Sequence, residues 1–82
     1  MMTTEITNTL AKHIATNILK QPKRVVKESE PIISSGLIDS FNLVDLALII
    51  EDKFGTRIDD SELNAQTFDT LAQLAQLIQQ RQ

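Results

Sequence analysis

The chain has 82 residues, with eight basic and eleven acidic side chains and a net charge of −3 at pH 7. This length predicts a single domain over residues 1–82, and the acidic balance argues against nucleic acid as a partner. The absence of cysteine excludes disulfides and argues against a structural zinc site. No apolar run approaches the roughly 20 residues that span a bilayer, and no signal peptide is evident. We therefore expect a cytoplasmic protein without a membrane span.

The first predicted helix carries an apolar residue at every fourth position, which indicates one buried stripe. This stripe consists of Ile6, Leu10, Ile14 and Ile18, flanked by Ala11 and Ala15. Pro22 cannot continue the helical hydrogen bonds, so the helix should end near residues 19–21. His13, the only histidine, falls at the edge of the stripe. No second metal ligand lies at helical spacing from it, so we expect His13 at the rim of the core.

Residues 21–38 show no helical period and predict a long first loop. The loop contains basic side chains that we expect to be solvated: Lys23, Arg24 and Lys27, next to Lys20. A structureless segment of this length is uncommon in a compact domain. Its apolar pairs, Val25-Val26 and Ile32-Ile33, are expected to pack beneath the helices.

The second predicted helix runs from about Ser40 to Phe54, and its start carries the candidate functional residues. Asp39 suits the N-cap position, because its carboxylate can accept from the free amides of the first turn. Ser40 then becomes the first helical residue. From this spacing alone, an ordinary capped helix start explains both side chains. A nucleophilic serine would also need a nearby base and a group that orients this base. The chain has one histidine, His13, no cysteine and no Gly-rich oxyanion loop.

This second helix has two apolar stripes. The wider one should face the core and consists of Leu43, Leu46, Ala47, Ile50 and Phe54. The narrower one comprises Phe41, Val44 and Leu48, and acidic residues that include Asp45 and Asp52 border it. Such a surface suits transient docking of a partner, although packing by other helices explains it equally well. Ile49 falls among polar residues and has no assigned role.

The remaining elements are shorter. Gly55 can end the second helix in the left-handed conformation. Asp59 or Asp60 can cap a short turn through Leu63, and Thr67 or Asp69 can cap the last helix. The inner stripe of that helix consists of Leu71, Leu74, Ala75 and Ile78. Together these patterns predict an all-α fold: a small four-helix bundle of three main helices and one short helix, with a long first loop.

The stretch Ser35-Gly36-Leu37-Ile38-Asp39-Ser40-Phe41, followed by Leu43-Val44-Asp45-Leu46 and Glu51-Asp52-Lys53-Phe54, resembles the modification site and second helix of the acyl carrier protein family. The resemblance is specific over residues 35–54 and extends in periodicity over about residues 4–80. It implies that Ser40 carries a 4′-phosphopantetheine arm, with Asp39 as its acidic neighbour. Phe41 replaces the leucine usual in fatty-acid members. The string is more similar to free-standing peptidyl or aminoacyl carriers such as the D-alanyl carrier protein.

The resemblance implies a carrier without catalytic residues or bound metal, not an enzyme. The arm would hold an acyl or aminoacyl group as a thioester and make the chain a phosphoprotein. A free-standing carrier of this kind would serve nonribosomal peptide or related secondary metabolism. The implied partners are a phosphopantetheinyl transferase, an adenylating or loading enzyme, and downstream condensing, acyl-transfer or thioesterase enzymes. Phe41, Val44, Asp45, Leu48 and Asp52 are the expected partner-binding residues of a monomer.

Two alternatives stay open on the sequence. One is a fatty-acid-type acyl carrier protein. The other is an unmodified helical interaction module, in which Asp39 and Ser40 only cap a helix and the narrow stripe binds one partner. Charge is also unevenly placed: residues 1–38 hold five basic and three acidic side chains, and residues 39–82 hold three and eight. The acidic half contains Ser40, so it could steer a basic partner towards the site, or simply solvate outer helix faces.

Overall fold

The computed structural model describes residues 3–81, and over this range it is helical and contains no strand. Helix α1 spans Thr3–His13 and continues into a π-helical turn at Ile14–Ile18. Helix α2 spans Ser40–Phe54, and helix α3 spans Leu71–Arg81. A three-residue 3₁₀ turn, Asp60–Glu62, lies between α2 and α3. The all-α prediction is therefore confirmed for the described part of the chain.

The predicted inner stripes meet in one core, where α1 packs against α3 and the wide face of α2 joins them. The fully buried side chains include Ile6, Leu10, Ile14, Leu46, Ile50, Phe68, Leu71, Leu74 and Ile78. Apolar residues of the loops are also buried, among them Val26, Ile32, Ile38 and Ile58. The loop pairs behave as predicted in part, because Val26 is buried whereas Val25 is 77% exposed.

The end of the first helix differs from the prediction in its geometry. The helix stops near Leu19, as expected, but its last turn is π-helical, and the Leu19 amide donates to the carbonyl of Ile14 at 2.8 Å. The Gln21 amide reaches back to the carbonyl of Ala15 at 2.7 Å. Lys20 closes this turn with a φ of 56°, a left-handed conformation that usually falls to glycine. The widened turn redirects the chain into the loop before Pro22.

The start of α3 corrects a second prediction. Thr70, rather than Thr67 or Asp69, caps the helix: its hydroxyl accepts from the Gln73 amide at 3.2 Å. The side-chain oxygen of Gln73 reaches back to the amides of Asp69, at 2.7 Å, and Thr70, at 3.3 Å. This reciprocal pair is a capping box, which satisfies the free amide groups of the first turn. Because Thr70 caps the helix, the Asp69 carboxylate is available to contact another segment of the chain.

Candidate functional site

The start of α2 has the predicted geometry. Asp39 is the N-cap residue, with extended backbone angles, and its Oδ1 accepts the Asn42 amide at 2.8 Å. Ser40 is the first helical residue, and its side chain is exposed. No residue among 3–81 hydrogen-bonds to its hydroxyl. At the other end, Gly55 adopts a left-handed φ of 65° and closes the helix, as predicted. A hydroxyl is thus presented to solvent at the positive end of a fifteen-residue helix.

The segment that leads into Ser40 is held from two sides. Gly36 turns the chain with a φ of 77°, and its amide donates to the carbonyl of Ile33 at 3.0 Å. Ile38, two residues before Ser40, is buried, and its amide donates to the carbonyl of Ile32 at 3.0 Å. This anchoring fixes the backbone immediately before the helix, so the position of Ser40 is set by the core.

A contact from the start of α3 completes the anchoring. The Ile32 amide donates to the backbone carbonyl of Asp69 at 2.7 Å. The Asp69 side chain accepts three further hydrogen bonds, from the amides of Ile33 and Ser34 and from the Ser34 hydroxyl. The Ser34 hydroxyl is the largest cause of the lowered pKa of Asp69, and the two amides add to it. Sequence reasoning missed this contact because the residues lie far apart in the chain.

The narrow stripe of α2 is open to solvent. Phe41 is 83% exposed, Leu48 is 60% exposed and Val44 is 45% exposed. Packing by other helices therefore does not cover these three side chains. Asp45 and Asp52 are also exposed, so the apolar stripe has an acidic border. The five predicted partner-binding residues thus share the exposed surface of α2, beginning beside Ser40.

A cleft lies between the end of α1 and the outer side of α2. Its two adjoining parts have volumes of about 400 and 250 Å³ and share His13 and Asn17. His13 is half-buried, as expected for a rim residue, and the Asn17 amide donates to its Nδ1 at 2.8 Å. Burial lowers the pKa of His13, Lys53 lowers it further, and Asp45 opposes the shift. The lowered pKa favours the neutral ring, and the Asn17 contact places its hydrogen on Nε2.

Within residues 3–81, no group of three or more histidine or acidic side chains is placed to hold a metal ion. No helix in that range has the length and hydropathy needed to cross a membrane.

Comparison with protein-family models gives one match that covers most of the chain. Residues 8–78 match the model described as the phosphopantetheine attachment site. Searches of curated proteins and of solved structures returned no significant match. Domains of this family carry 4′-phosphopantetheine covalently and interact with the transferase that attaches it and with biosynthetic enzymes. Because the matched segment includes both the start of α2 and its anchoring loop, the chain belongs to the phosphopantetheine attachment family.

Proposed function

We propose that Ser40 is the attachment site and that the chain is a free-standing carrier of an acyl or aminoacyl group. The observation that carries this proposal is the exposed Ser40 hydroxyl at the first position of α2, capped by Asp39. This serine lies in the segment matched by the family model. It also stands in the motif that resembles the modification site of acyl carrier proteins. An ordinary cap does not explain why the adjoining stripe of α2 is exposed.

The residues at the helix start fit a phosphate ester. Attachment would form a bond between Ser40 Oγ and the phosphorus of the arm while the phosphoanhydride bond that joins this phosphorus to a nucleotide-linked donor breaks. The donor's nucleotide phosphate departs as the leaving group, and the hydroxyl proton goes to a base. The resulting negative charge lies at the positive end of α2, where anions are stabilised. Asp39 Oδ1 accepts the Asn42 amide, and within residues 3–81 no hydrogen bond joins the Asp39 carboxylate to the Ser40 hydroxyl. We assign the acceptor of the Ser40 hydroxyl proton to the transferase, because the resemblance implies that a separate enzyme attaches the arm.

The arm supplies chemistry that the chain's own side chains do not. When attached, 4′-phosphopantetheine brings a terminal thiol that can hold the cargo as a thioester. The sequence contains no cysteine, so this thiol would be the only one on the protein. The chain itself then acts as a non-catalytic support: it fixes the position of Ser40 and identifies the carrier to its partners.

The exposed stripe of α2 is the surface that we assign to those partners. Phe41, Val44 and Leu48 would fill apolar pockets, and Asp45 and Asp52 would pair with basic side chains at the rim. The partners are the transferase, an adenylating or loading enzyme, and enzymes that condense, transfer or hydrolyse the cargo. Because Phe41 is adjacent to Ser40, an enzyme that binds its ring would also position the arm and its terminal thiol.

The cargo is proposed to be a small aminoacyl or acyl group of nonribosomal-peptide-like or related secondary metabolism. Support comes from Phe41 at the position after Ser40 and from the resemblance to free-standing carriers. Loading assays with amino-acid adenylating enzymes, compared with acyl-carrier synthetase and long fatty acids, test this choice. Acceptance of long acyl chains alone would instead identify a fatty-acid-type carrier.

The proposal extends to the whole chain. We infer one carrier domain over residues 1–82, monomeric and cytoplasmic, in which the 3₁₀ turn Asp60–Glu62 stands where a carrier bundle has its short fourth helix. The long loop between α1 and α2 has the place and length that this bundle requires. Sedimentation of the purified protein checks the monomer, and limited proteolysis checks that residues 1–82 resist cleavage as one unit.

The central test is the mass of protein coexpressed with a broad-specificity transferase. We expect one added phosphopantetheinyl group and one titratable thiol on the unaltered chain, and neither on Ser40→Ala. Ser61→Ala, which removes another exposed serine hydroxyl, should be modified normally. Modification that persists in Ser40→Ala would refute the assignment. A chain that gains no mass at all, while a known carrier in the same cells does, would support an unmodified interaction module.

A further inference from the structure

The cleft between α1 and α2 contains side chains for which the carrier function gives no role. Its larger part is lined by residues with polar or basic side-chain groups: Thr9, Lys12, His13, Thr16, Asn17 and Lys53. Its smaller part is partly apolar and adds Ile18, Asp45, Leu48 and Ile49. The cleft therefore has one basic end and one apolar end, on the same side of α2.

The basic end carries two ammonium groups on opposite walls, Lys12 from α1 and Lys53 from α2. Neither forms an ion pair within residues 3–81. The field of Lys53 is strong enough to contribute to the lowered pKa of His13 on the opposite wall. The negative group that acts on His13 is Asp45, which lies at the apolar end of the cleft. Charge complementarity thus favours an anionic group at the lysine end and disfavours one near Asp45.

The wall contributed by the first helix runs from α1 into its π-helical turn, Ile14–Ile18. This turn places Thr16, Asn17 and Ile18 along the cleft, and single π-helical turns occur frequently at functional sites. The hydrogen bond from Asn17 to His13 Nδ1 holds the imidazole with Nε2–H as its remaining donor. The turn therefore orders polar groups that an uninterrupted helix would place elsewhere.

The apolar end explains Ile49, which the helical period leaves among polar residues. Ile49 is half-buried and lines the cleft together with Leu48, which is 60% exposed. Leu48 also belongs to the exposed stripe of α2, so the cleft is continuous with the proposed docking surface. A macromolecular partner bound to that stripe can therefore also contact the cleft.

The distance between the basic and apolar ends of the cleft indicates the spacing of the ligand's side chains. Ile49 and Lys53 are four residues apart, so they lie on the same face of α2, about 6 Å apart along the helix. Two residues of an extended segment span about 6.8 Å, and their side chains at positions i and i+2 point to the same side. An acidic and an apolar side chain at that spacing would meet Lys53 and Ile49 together.

We propose that this cleft binds an extended segment of a partner enzyme in which an acidic and an apolar residue are two positions apart. The carboxylate lies between Lys12 and Lys53, and the apolar side chain packs on Leu48 and Ile49. The partner's identity as a cargo-handling enzyme rests on the proposed function. Binding to the cleft does not require a modified Ser40.

The test uses the full chain carrying Ser40→Ala, so a failure of arm attachment leaves it unaffected. A blocked Glu-Ser-Leu peptide is titrated while the amide shifts of the protein are followed by NMR. We expect saturable shifts at Thr9, Asn17 and Ile49. A blocked Gln-Ser-Leu peptide should bind much more weakly, and so should Glu-Leu-Ser, whose acidic and apolar side chains point to opposite sides.

Variants locate the contacts. The double change Lys12→Gln and Lys53→Gln should weaken Glu-Ser-Leu binding about tenfold, as expected for the loss of two exposed ion pairs. The matched change Lys23→Gln and Lys27→Gln alters the net charge equally on the loop and should leave binding nearly unchanged. Leu48→Ser should weaken the peptide but not inorganic phosphate.

Three results would overturn the proposal. One is a pattern of amide shifts centred on the loop lysines, Lys23 and Lys27. Another is an equal loss of peptide binding in both double variants. Either result would indicate non-specific electrostatic attraction. The third is inorganic phosphate that binds as tightly as the peptide, since the apolar end would then contribute nothing. Melting temperatures of the variants establish that each one is folded.

Discussion

The hydroxyl of Ser34 donates to the carboxylate of Asp69 at 2.5 Å, across 35 positions of the chain. The same carboxylate accepts the Ile33 and Ser34 amides at 2.9 and 2.8 Å. These hydrogen bonds hold the end of the long loop against the start of α3. The segment that leads into Ser40 is therefore fixed by a charged acceptor as well as by the buried side chains of Ile32 and Ile38.

This contact predicts a dependence of stability on acid. Because the folded-state pKa of Asp69 is lowered, its stabilising contribution is present above the ordinary carboxyl pKa and is lost as the pH falls through the folded value. Asp69→Asn should reduce stability at pH 7 and should flatten the loss between pH 5 and pH 2. Urea unfolding at a series of pH values measures both effects. Asp52→Asn, at an exposed acid of α2, is the control and should retain the acid dependence of the unaltered chain.

The two stripes of α2 should respond differently to truncation. Leu46 is fully buried, so Leu46→Ala should leave a cavity and cost about 2–5 kcal/mol of folding free energy. Phe41 is exposed, so Phe41→Ala should change stability by less than about 1 kcal/mol. Turnover by the transferase should still fall in Phe41→Ala, because an aromatic anchor is lost. Thermal melts and modification kinetics on both proteins provide the comparison. Equal destabilisation by the two changes would mean that Phe41 belongs to the core.

Charge reversal on the border of the stripe should act on association. Asp45→Lys or Asp52→Lys should slow binding of a partner with a basic surface mainly at low salt, because screening removes long-range attraction at high salt. Asp60→Lys makes the same charge change on the 3₁₀ turn and should slow association less. Stopped-flow rates at several ionic strengths distinguish the cases. A rate that depends on net charge alone, irrespective of position, would argue against α2 as the docking surface.

The capping box of α3 gives a local stability prediction. Thr70→Ala removes the acceptor of the Gln73 amide and should destabilise the protein by about 0.5–2 kcal/mol. Gln73→Ala should act in the same direction, because the Asp69 amide loses its partner. Gln76→Ala, at another exposed glutamine of α3, should have little effect. Chemical denaturation of the three variants tests the assignment, and a larger effect from Gln76→Ala would contradict it.

Local signals predicted α2 well. Asp39 and Gly55 mark its two ends, and the helical period separates Leu46 from Leu48, so the bounds and the core face follow from neighbouring residues. The sequence left open whether another helix covers the narrow stripe, and its exposure is a finding of the structure. The sequence also contains the Thr70-x-x-Gln73 pattern of a capping box. The prediction instead placed the cap at Thr67 or Asp69, because threonine and aspartate are both preferred cap residues. The role of Ser40 is a matter of chemistry that neither helical period nor burial decides.

Other features depend on residues that are distant in sequence. The contact between Ser34 and Asp69 appears only when the loop meets α3. The π-helical turn at Ile14–Ile18 has no strong local signature, because the same stripe of apolar residues also fits an uninterrupted α-helix. The location of Ile49 in a cleft depends on where α1 crosses α2. Periodicity assigns faces to a helix but does not say which neighbour lies over each face.

The anchoring of the loop by α3 also sets an order of events during synthesis. Ile32, Ser34 and Glu28 hydrogen-bond to residues of the 69–72 segment, so these contacts cannot form until that segment has left the ribosome. A nascent chain that ends at α2 has the Ser40 hydroxyl but not the fixed backbone that positions it. A transferase that recognises the folded surface would therefore act only after the start of α3 has left the ribosome.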